Sequence, residues 1–483
     1  MPDKPAEYPE LPKQLRERSL LGLLTFFGPG AIIACVTIGS GETIFASRIG
    51  SLFGYSLLWC FLVGAVIKAI QVYSGCRFIT LTGRHPLESW MDLPGPRGAF
   101  VWLISLLTIL CMPFFLGGAL PRMLGDFTNW VFGYPDPANE DQYLFFGRLW
   151  GTAFTLFAVV ITWLQTYRFL ERVQTAIVGL LVFCMVSAAV FSNPDLIQLI
   201  VGFFVPVYPA YEPWVVQKYP SFLERHALVE TIVCVSVIGG GTVDYFGYLG
   251  MLREKGWGML GRPVAPDVIS ESPENVQLGL RWLRAPLVDV CGSFALILTF
   301  TACFAALGAT VLHPQKLVPD GFDLLTLQAS YLVRPDQSGA VQALLGWVYK
   351  TGIFFAFFGT IYGAYELYTR TVRECLSAVL PRLRNVPLRK FRLWTIVWTA
   401  GAGLLLLWFT TKDPVVLITP AALLVAGITC GLWCFAMLWS DRVHVPPGLR
   451  MRWPLRAGLV VSGILLTVCP IVGLVRYVQD LMK

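Results

Sequence analysis

Two carboxylates stand directly after glycine clusters inside long apolar stretches of this chain. The first stretch contains IGSGE at residues 38–42, and the second contains IGGGTVD at residues 238–244. Glycine permits a helix to unwind, and a helix interrupted within lipid leaves amide and carbonyl groups that must find partners. Breaks at corresponding positions of two halves are typical of carriers with a binding site near the middle of the bilayer. The pattern therefore predicts such a site here.

Every predicted ligand atom of this site is an oxygen. We expect the breaks to free backbone carbonyls, and Glu42 and Asp244 to open the second halves of their helices, where a helix N-terminus stabilises an anion. Two converging carboxylates repel each other unless a cation lies between them. Oxygen ligands suit a hard divalent ion such as Mg²⁺ or Mn²⁺, so Glu42 and Asp244 are the predicted metal ligands. The residues predicted to line the site are Gly39, Ser40, Glu42, Thr242, Asp244 and Tyr245.

A structural ion pair is the alternative interpretation of each acid. Glu42 could pair with Arg48 or Lys68, and Asp244 with another buried base. An isolated acid in a membrane segment leaves both interpretations open, whereas two acids that each follow a glycine break favour a binding site. The remaining polar residues of the apolar stretches fit ion pairs as well as a site: Lys68, Gln71, Asp289, Glu366 and Arg370.

The composition places these residues in a membrane protein that crosses the bilayer many times. Of the 483 residues, 55% are apolar and 14% are charged, and the mean hydropathy is +0.64. These values exclude a soluble enzyme of this size. The net charge of +7 lies mostly in loops and does not indicate nucleic-acid binding. None of the 12 cysteines forms a CxxC pair, so we expect neither disulfides nor a zinc site, and no resident cofactor.

The hydropathy pattern predicts an all-α protein with eleven membrane-spanning helices, each with the roughly twenty apolar residues that a bilayer requires. The predicted segments are 24–51, 55–81, 99–121, 149–166, 171–192, 227–253, 286–309, 344–372, 391–409, 414–439 and 456–477. Residues 1–22 form a predicted cytoplasmic tail, and 23–480 the membrane domain. Within that domain, 24–192 and 227–439 are two predicted repeats, and 456–477 is an extra helix. Residues 273–285 are expected to form a short interfacial helix.

Basic residues indicate the orientation, because cytoplasmic loops carry an excess of Lys and Arg. Residues 253–284 and 373–392 are rich in arginine, whereas the loops on the other side carry acids such as Asp126 and Glu140. We therefore predict a monomeric protein of the cell membrane with a cytoplasmic N-terminus and an extracytoplasmic C-terminus. The bilayer and a divalent metal ion are its predicted partners.

Several motifs resemble the Nramp divalent-metal transporters. GPG at 28–30, FGYSLLW at 53–59, TGR at 82–84 and the upstream Gln71 match that family's pattern in order and spacing. The resemblance implies the amino-acid, polyamine and organocation transporter fold, with an inverted five-plus-five repeat, broken helices 1 and 6, and alternating access.

The departures from the family motifs concern the ligands themselves. The family's DPGN falls on residues 39–42, where this chain has GSGE, and its MPH falls on Val243, Asp244 and Tyr245. The family's metal-binding Asp and its soft Met are therefore replaced, and two acids appear nearby. Because Met favours softer transition metals, its loss predicts a hard ion and suggests a resemblance to the Nramp-related magnesium transporters.

The predicted third span, 99–121, has no ionisable side chain. Since Nramp proteins use acids there in a proton route, we expect transport without proton coupling. The membrane potential alone favours the inward movement of two charges by about 4.6 kcal/mol per 100 mV.

Two other functions fit the same residues. GSG at 39–41 followed by Ile44 and Phe45 also resembles a GSGIF motif of amino-acid carriers. In that case Glu42 and Asp244 would receive the ammonium group of a polyamine or an amino acid. A receptor or scaffold that kept the fold without transport is the third possibility.

Overall fold

The computed structural model describes residues 5–17, 19–136, 138–164, 167–223, 226–262, 268–319, 327–331, 339–410 and 414–481. Within these ranges the chain is helical, and one isolated parallel bridge joins Ala6 to Ile269. Ten helices of the described chain are long and apolar enough to cross a membrane. The segment 29–53 adds a further apolar helix, which is almost entirely buried.

These segments are numbered α1 to α11 and correspond one to one with the predicted spans. They are α1 (Pro29–Thr37, Ile38–Glu42 and Thr43–Phe53), α2 (Leu58–Thr82), α3 (Ala99–Phe132), α4 (Glu140–Leu164), α5 (Tyr167–Phe191), α6a (Ala227–Val237), α6b (Thr242–Leu252), α7 (Arg284–Leu307, continued by Gly308–Leu312), α8 (Gly339–Val379), α9 (Leu388–Phe409), α10 (Pro414–Ala421, Ala422–Ile428 and Thr429–His444) and α11 (Trp453–Leu481). The short helices include Lys13–Glu17, Leu20–Leu24, Pro86–Trp90, Leu196–Phe204, Pro213–Lys218 and Pro273–Trp282.

The first glycine cluster widens α1 instead of unwinding it. Residues Ile38–Glu42 form a π-helical turn, in which the Ile38 carbonyl accepts from the Thr43 amide and, at 2.7 Å, from the Thr43 hydroxyl. Gly39 faces α8, and a β-carbon there would lie 2.1 Å from Thr360 Oγ1. The π turn thus keeps its hydrogen bonds, so the carbonyl expected to be free near Gly39 is paired, and the glycine serves close packing.

The second cluster unwinds α6 as predicted. Helix α6a ends at Val237 and α6b begins at Thr242. Between them Gly239 and Gly240 have φ values of 75° and 90°, a region that side-chain-bearing residues rarely enter. The glycines therefore end the helical ladder and leave backbone groups facing the protein interior.

Helix α3 is longer than the predicted span. It contains a π turn at Phe114–Ala119 and continues beyond residue 121 to Phe132. Arg122 and Asp126 are buried on this extension and form an ion pair of 2.9 Å. Asp126, expected in an outward loop, is thus helical because an arginine one turn away compensates its charge. The absence of ionisable groups holds for 99–121 and not for the whole helix.

Asp289 on α7 caps the start of α1. Its carboxylate accepts from the Gly28 amide at 2.9 Å, from the Gly30 amide at 3.0 Å and from the Tyr248 hydroxyl at 2.6 Å. The first amides of a helix lack partners within the helix, so this buried acid satisfies them. Asp289 therefore has a structural role that joins α7, α1 and α6b.

The N-terminal segment packs against the membrane domain. The Tyr8 amide donates to Asn275 Oδ1 at 2.7 Å, and its hydroxyl donates to the Leu81 carbonyl at 3.0 Å. Trp282 Nε1 donates to the Pro9 carbonyl at 2.8 Å. Asn275 and Trp282 belong to Pro273–Trp282, the short helix expected within 273–285. Residues 6–9 are thus fixed to the end of α2 and to this helix.

Replacing Asp289 with alanine should lower the thermal stability of the detergent-solubilised protein. Each buried donor that loses its acceptor costs about 1–3 kcal/mol, so we expect the apparent Tm to fall by roughly 5 °C or more. Asp195→Ala is the matched control, because Asp195 caps the exposed helix Leu196–Phe204 and such a cap contributes about 1 kcal/mol. Equal shifts in the two variants would contradict a structural role for Asp289.

Candidate cation site

The structure brings the two predicted acids together at the α6 break. Glu42 Oε1 accepts from the Gly239 amide at 2.8 Å, and Asp244 Oδ2 accepts from the Gly241 amide at 2.9 Å. Because two residues of chain span at most about 7 Å, the carboxylates approach the break close to each other. Their side chains are only 2% and 5% exposed. One acid from each half of the chain therefore faces the same four-residue break.

Three backbone carbonyls lie at the end of α6a and within the break, those of Ser236, Gly239 and Gly240. The Tyr245 hydroxyl donates to the Gly239 carbonyl at 2.8 Å and to the Gly240 carbonyl at 3.3 Å. The Lys68 ammonium donates to the carbonyls of Ser236 and Gly240. Candidate backbone ligands are therefore found at residues 236, 239 and 240, and Tyr245 orients two of them.

Lys68 is a base that interacts with both acids. It is fully buried on α2 and interacts electrostatically with Glu42 and Asp244. Arg48, the other possible partner of Glu42, instead pairs with Glu230 on α6a at 2.9 Å. Within the part of the chain that the structure describes, the ion-pair alternative therefore rests on Lys68, which interacts with both acids and donates to two carbonyls. A lysine in an apolar helix was the sequence signal for this role.

One oxygen of Glu42, Oε2, is buried and has no hydrogen-bond partner among the described residues. Buried polar atoms in native structures are almost always paired, and a donor or a cation would satisfy this carboxylate oxygen. Among the described residues, no three His, Cys, Asp or Glu side chains cluster in a way that could hold a metal. A metal ion here would rely on the two acids together with carbonyl oxygens and water.

A small cavity of about 30 Å³ adjoins the break on the Asp244 side. Gly240, Gly241 and Asp244 form its polar wall, and Phe115, Tyr368 and Ile418 are part of the apolar wall. A space of this size accommodates one water-sized species. The arrangement can therefore hold a small ion beside a carboxylate.

The other predicted site residues have different positions. Thr242 Oγ1 bonds to Thr429 Oγ1 at 2.8 Å and to Thr108 Oγ1 at 3.1 Å, so it attaches α6b to α10 and α3. Gly39 packs on Thr360 and Ala356 of α8. Ser40 lies in the π turn, and its side chain is outside the described set. Thr108 and Thr429 were missed because a single threonine in an apolar helix gives no distinctive signal.

Glu366 and Arg370, which the sequence left open between a site and an ion pair, form an ion pair. Their side chains approach to 3.4 Å on α8, and Glu366 also pairs with Arg392 at 2.8 Å. Arg370 in turn contacts Glu254 at 3.2 Å. These contacts join α8 to α9 and to the end of α6b, and they account for both charged groups without a ligand.

Comparison with solved structures defines the class of fold. A manganese transporter of Eremococcus coleocola, in complex with an aromatic bis-isothiourea compound, superposes with a TM-score of 0.72 at 13% identity, covering 99% of this chain and 90% of that one. Mhp1, a nucleobase-cation-symport-1 family transporter in a closed conformation, gives 0.52 at 14% identity, with 95% and 92% covered. The chain thus has the inverted-repeat fold of this class of membrane transporters.

Within that class, the chain belongs to the Nramp family. The family model, described as natural resistance-associated macrophage protein-like, matches residues 30–476. The divalent metal cation transporter MntH of Listeria welshimeri is 26% identical over 190 residues, which cover 38% of each protein. MntH of Bacillus subtilis is 28% identical over 196 residues, covering 40% of this chain and 42% of its own length. The resemblance inferred from the motifs is confirmed.

Substituting Gly240 with alanine should destabilise the protein. A β-carbon at this positive φ would lie 2.6 Å from Asp244 Oδ2 and 2.8 Å from Thr37 Cγ2, and such a backbone conformation costs a side-chain-bearing residue about 1–3 kcal/mol. We expect a lower Tm in detergent. Gly179→Ala on α5 is the control, since nothing lies within 4 Å of its β-carbon. It should leave the Tm unchanged or raise it, because alanine is the better helix former. A Gly240→Ala variant as stable as the control would contradict the unwound break.

Proposed function

We propose that this chain carries a divalent cation, Mg²⁺ or Mn²⁺, across the cell membrane by alternating access. The observation that carries the proposal is the convergence of Glu42 and Asp244, one from each half, on the α6 break. Both acids are buried, and Oε2 of Glu42 has no hydrogen-bond partner in the described part of the chain. Membership in the Nramp family supports a metal ion as the cargo.

Oxygen chemistry favours a hard ion at this site. Two carboxylates and the carbonyls of residues 236, 239 and 240 offer neither sulfur nor imidazole, and such ligand sets suit Mg²⁺ and Mn²⁺. Val243 and Tyr245 stand where the family has Met and His. The cavity of about 30 Å³ fits an ion with little accompanying water.

We further propose that the membrane potential drives uptake without proton coupling. With the N-terminus in the cytoplasm, inward movement of a divalent ion gains about 4.6 kcal/mol per 100 mV. The described acid of α3, Asp126, is paired with Arg122 and lies beyond residue 121, which leaves 99–121 without an ionisable group. Proton flux should therefore not accompany metal uptake.

Mn²⁺ uptake into proteoliposomes, driven by an inside-negative potential, tests the proposal. Glu42→Gln and Asp244→Asn each remove one charge with little change in shape, and we expect at least about tenfold slower uptake, equivalent to 1.4 kcal/mol. Asp195→Asn is the control, because this exposed helix cap lies far from the break. A pH-sensitive dye inside the vesicles should report no proton entry, and Mg²⁺ should compete. Unchanged uptake in both site variants would refute the assignment.

A carrier of a cationic organic substrate is the second candidate. The observation in its favour is Lys68, which offsets one of the two acidic charges and leaves a single negative charge suited to one ammonium group. The size of the cavity argues against it.

Competition distinguishes the two candidates. We expect an excess of a polyamine or a basic amino acid to leave Mn²⁺ uptake unchanged, because the described cavity accommodates one water-sized species. Uptake of the radiolabelled organic compound in the absence of any metal flux would favour the second candidate. If calorimetry detects binding of neither Mn²⁺ nor the organic compound, a receptor or scaffold is favoured.

A further inference from the structure

Lys68 occupies carbonyl oxygens that the α6 break makes available. Its ammonium donates to the carbonyls of Ser236 and Gly240, and the side chain is fully buried. Gly64 lies one turn earlier on the same face of α2. A β-carbon there would lie 2.4 Å from Ile238 Cγ2 and 3.0 Å from the Val235 carbonyl. The close approach at Gly64 thus places Lys68 directly against the break.

The same ammonium faces the acids on two other helices. Lys68 interacts electrostatically with Glu42 on α1 and Asp244 on α6b, and also faces the Cys430 thiol on α10. Buried carboxylates without a counter-charge are strongly unfavourable. Lys68 therefore supplies, from within the chain, a positive charge of the kind that a bound metal ion would supply.

A divalent cation and this ammonium compete for one set of oxygen atoms. Two ionised carboxylates with Lys68 carry one net negative charge, and adding a divalent ion beside an unmoved ammonium would give one net positive charge. Like charges repel strongly where water is excluded. An ion that takes the carbonyls of Ser236 and Gly240 as ligands must also displace the hydrogen bonds of Lys68.

We propose that Lys68 is a tethered cation that fills the cargo site of the empty carrier and leaves it when a divalent cation binds. This inference rests on the proposed function, because it assigns the cargo to the same oxygen atoms. In the empty carrier the ammonium compensates one of the two negative charges of Glu42 and Asp244, so the carrier can return to the outward-facing state without cargo. Lys68 thereby lowers cargo affinity and permits net uptake.

The test uses the full-length protein with Lys68→Met, which keeps most of the apolar stem and removes the charge. By calorimetry, Mn²⁺ should bind at least about tenfold more tightly, equivalent to 1.4 kcal/mol. Net uptake into Mn²⁺-free proteoliposomes should fall by at least about tenfold, because the empty carrier now returns slowly to its outward-facing state. Exchange of external for internal Mn²⁺ should continue at the wild-type rate, because the loaded carrier still changes between its outward-facing and inward-facing states. Lys68→Arg, which retains the charge, should keep the weak wild-type affinity.

Tighter binding combined with preserved exchange separates this role from a structural one, because damage to the fold weakens binding and slows both fluxes. If Lys68→Met binds Mn²⁺ no more tightly than the wild type, or loses net uptake and exchange together, the tethered-cation role is wrong. If this occurs while Glu42→Gln still slows Mn²⁺ uptake by at least about tenfold, the proposed function stands and only the inference fails. If the wild type binds no Mn²⁺ at all, both fail.

Discussion

Unpaired backbone groups at the α6 break are the constraint on which the surrounding structure depends. No bulk water reaches the interior of a bilayer, so each amide and carbonyl released by unwinding needs a partner from the protein or a ligand. The amides of Gly239 and Gly241 bind carboxylates, and the carbonyls of Gly239 and Gly240 accept from Tyr245 and Lys68. The acids and the base are thus brought together by the same unwound turn.

The two halves of α6 are attached to different parts of the protein. Glu230 on α6a forms an ion pair with Arg48 in the second half of α1. On α6b, Gly247 packs against the Leu367 carbonyl of α8, and Thr242 bonds to α10 and α3. The intervening glycines impose few steric limits on backbone angles. A change of angle between α6a and α6b would therefore alter the positions of the carbonyls and of Glu42 relative to Asp244, which is the geometry that alternating access requires.

Family membership accounts for the helices, whereas the polar residues at the break differ from the family motifs. GSGE replaces the family's DPGN in α1, and VDY replaces MPH in α6b. The acids stand a few positions away from the family's ligands, a valine stands in place of the methionine, and a buried lysine lies against the same turn. Since ligand type and charge select the ion, similarity to metal transporters of the family does not by itself fix the cargo.

The sequence alone determined the membrane class, the positions of the eleven apolar helices and the break in α6, because these depend on local composition and on glycine. It also identified Glu42 and Asp244, because an acid within lipid is rare enough to stand out.

Only the tertiary structure decided which groups these acids contact. The IGSGE turn stayed helical because π-type hydrogen bonds and packing on α8 satisfied it. Arg48 turned to Glu230, Asp289 became a cap, and Lys68 reached the break through the close contact at Gly64. Each of these outcomes depends on which helix faces which, and hydrophobic periodicity does not encode the partner of a buried charge.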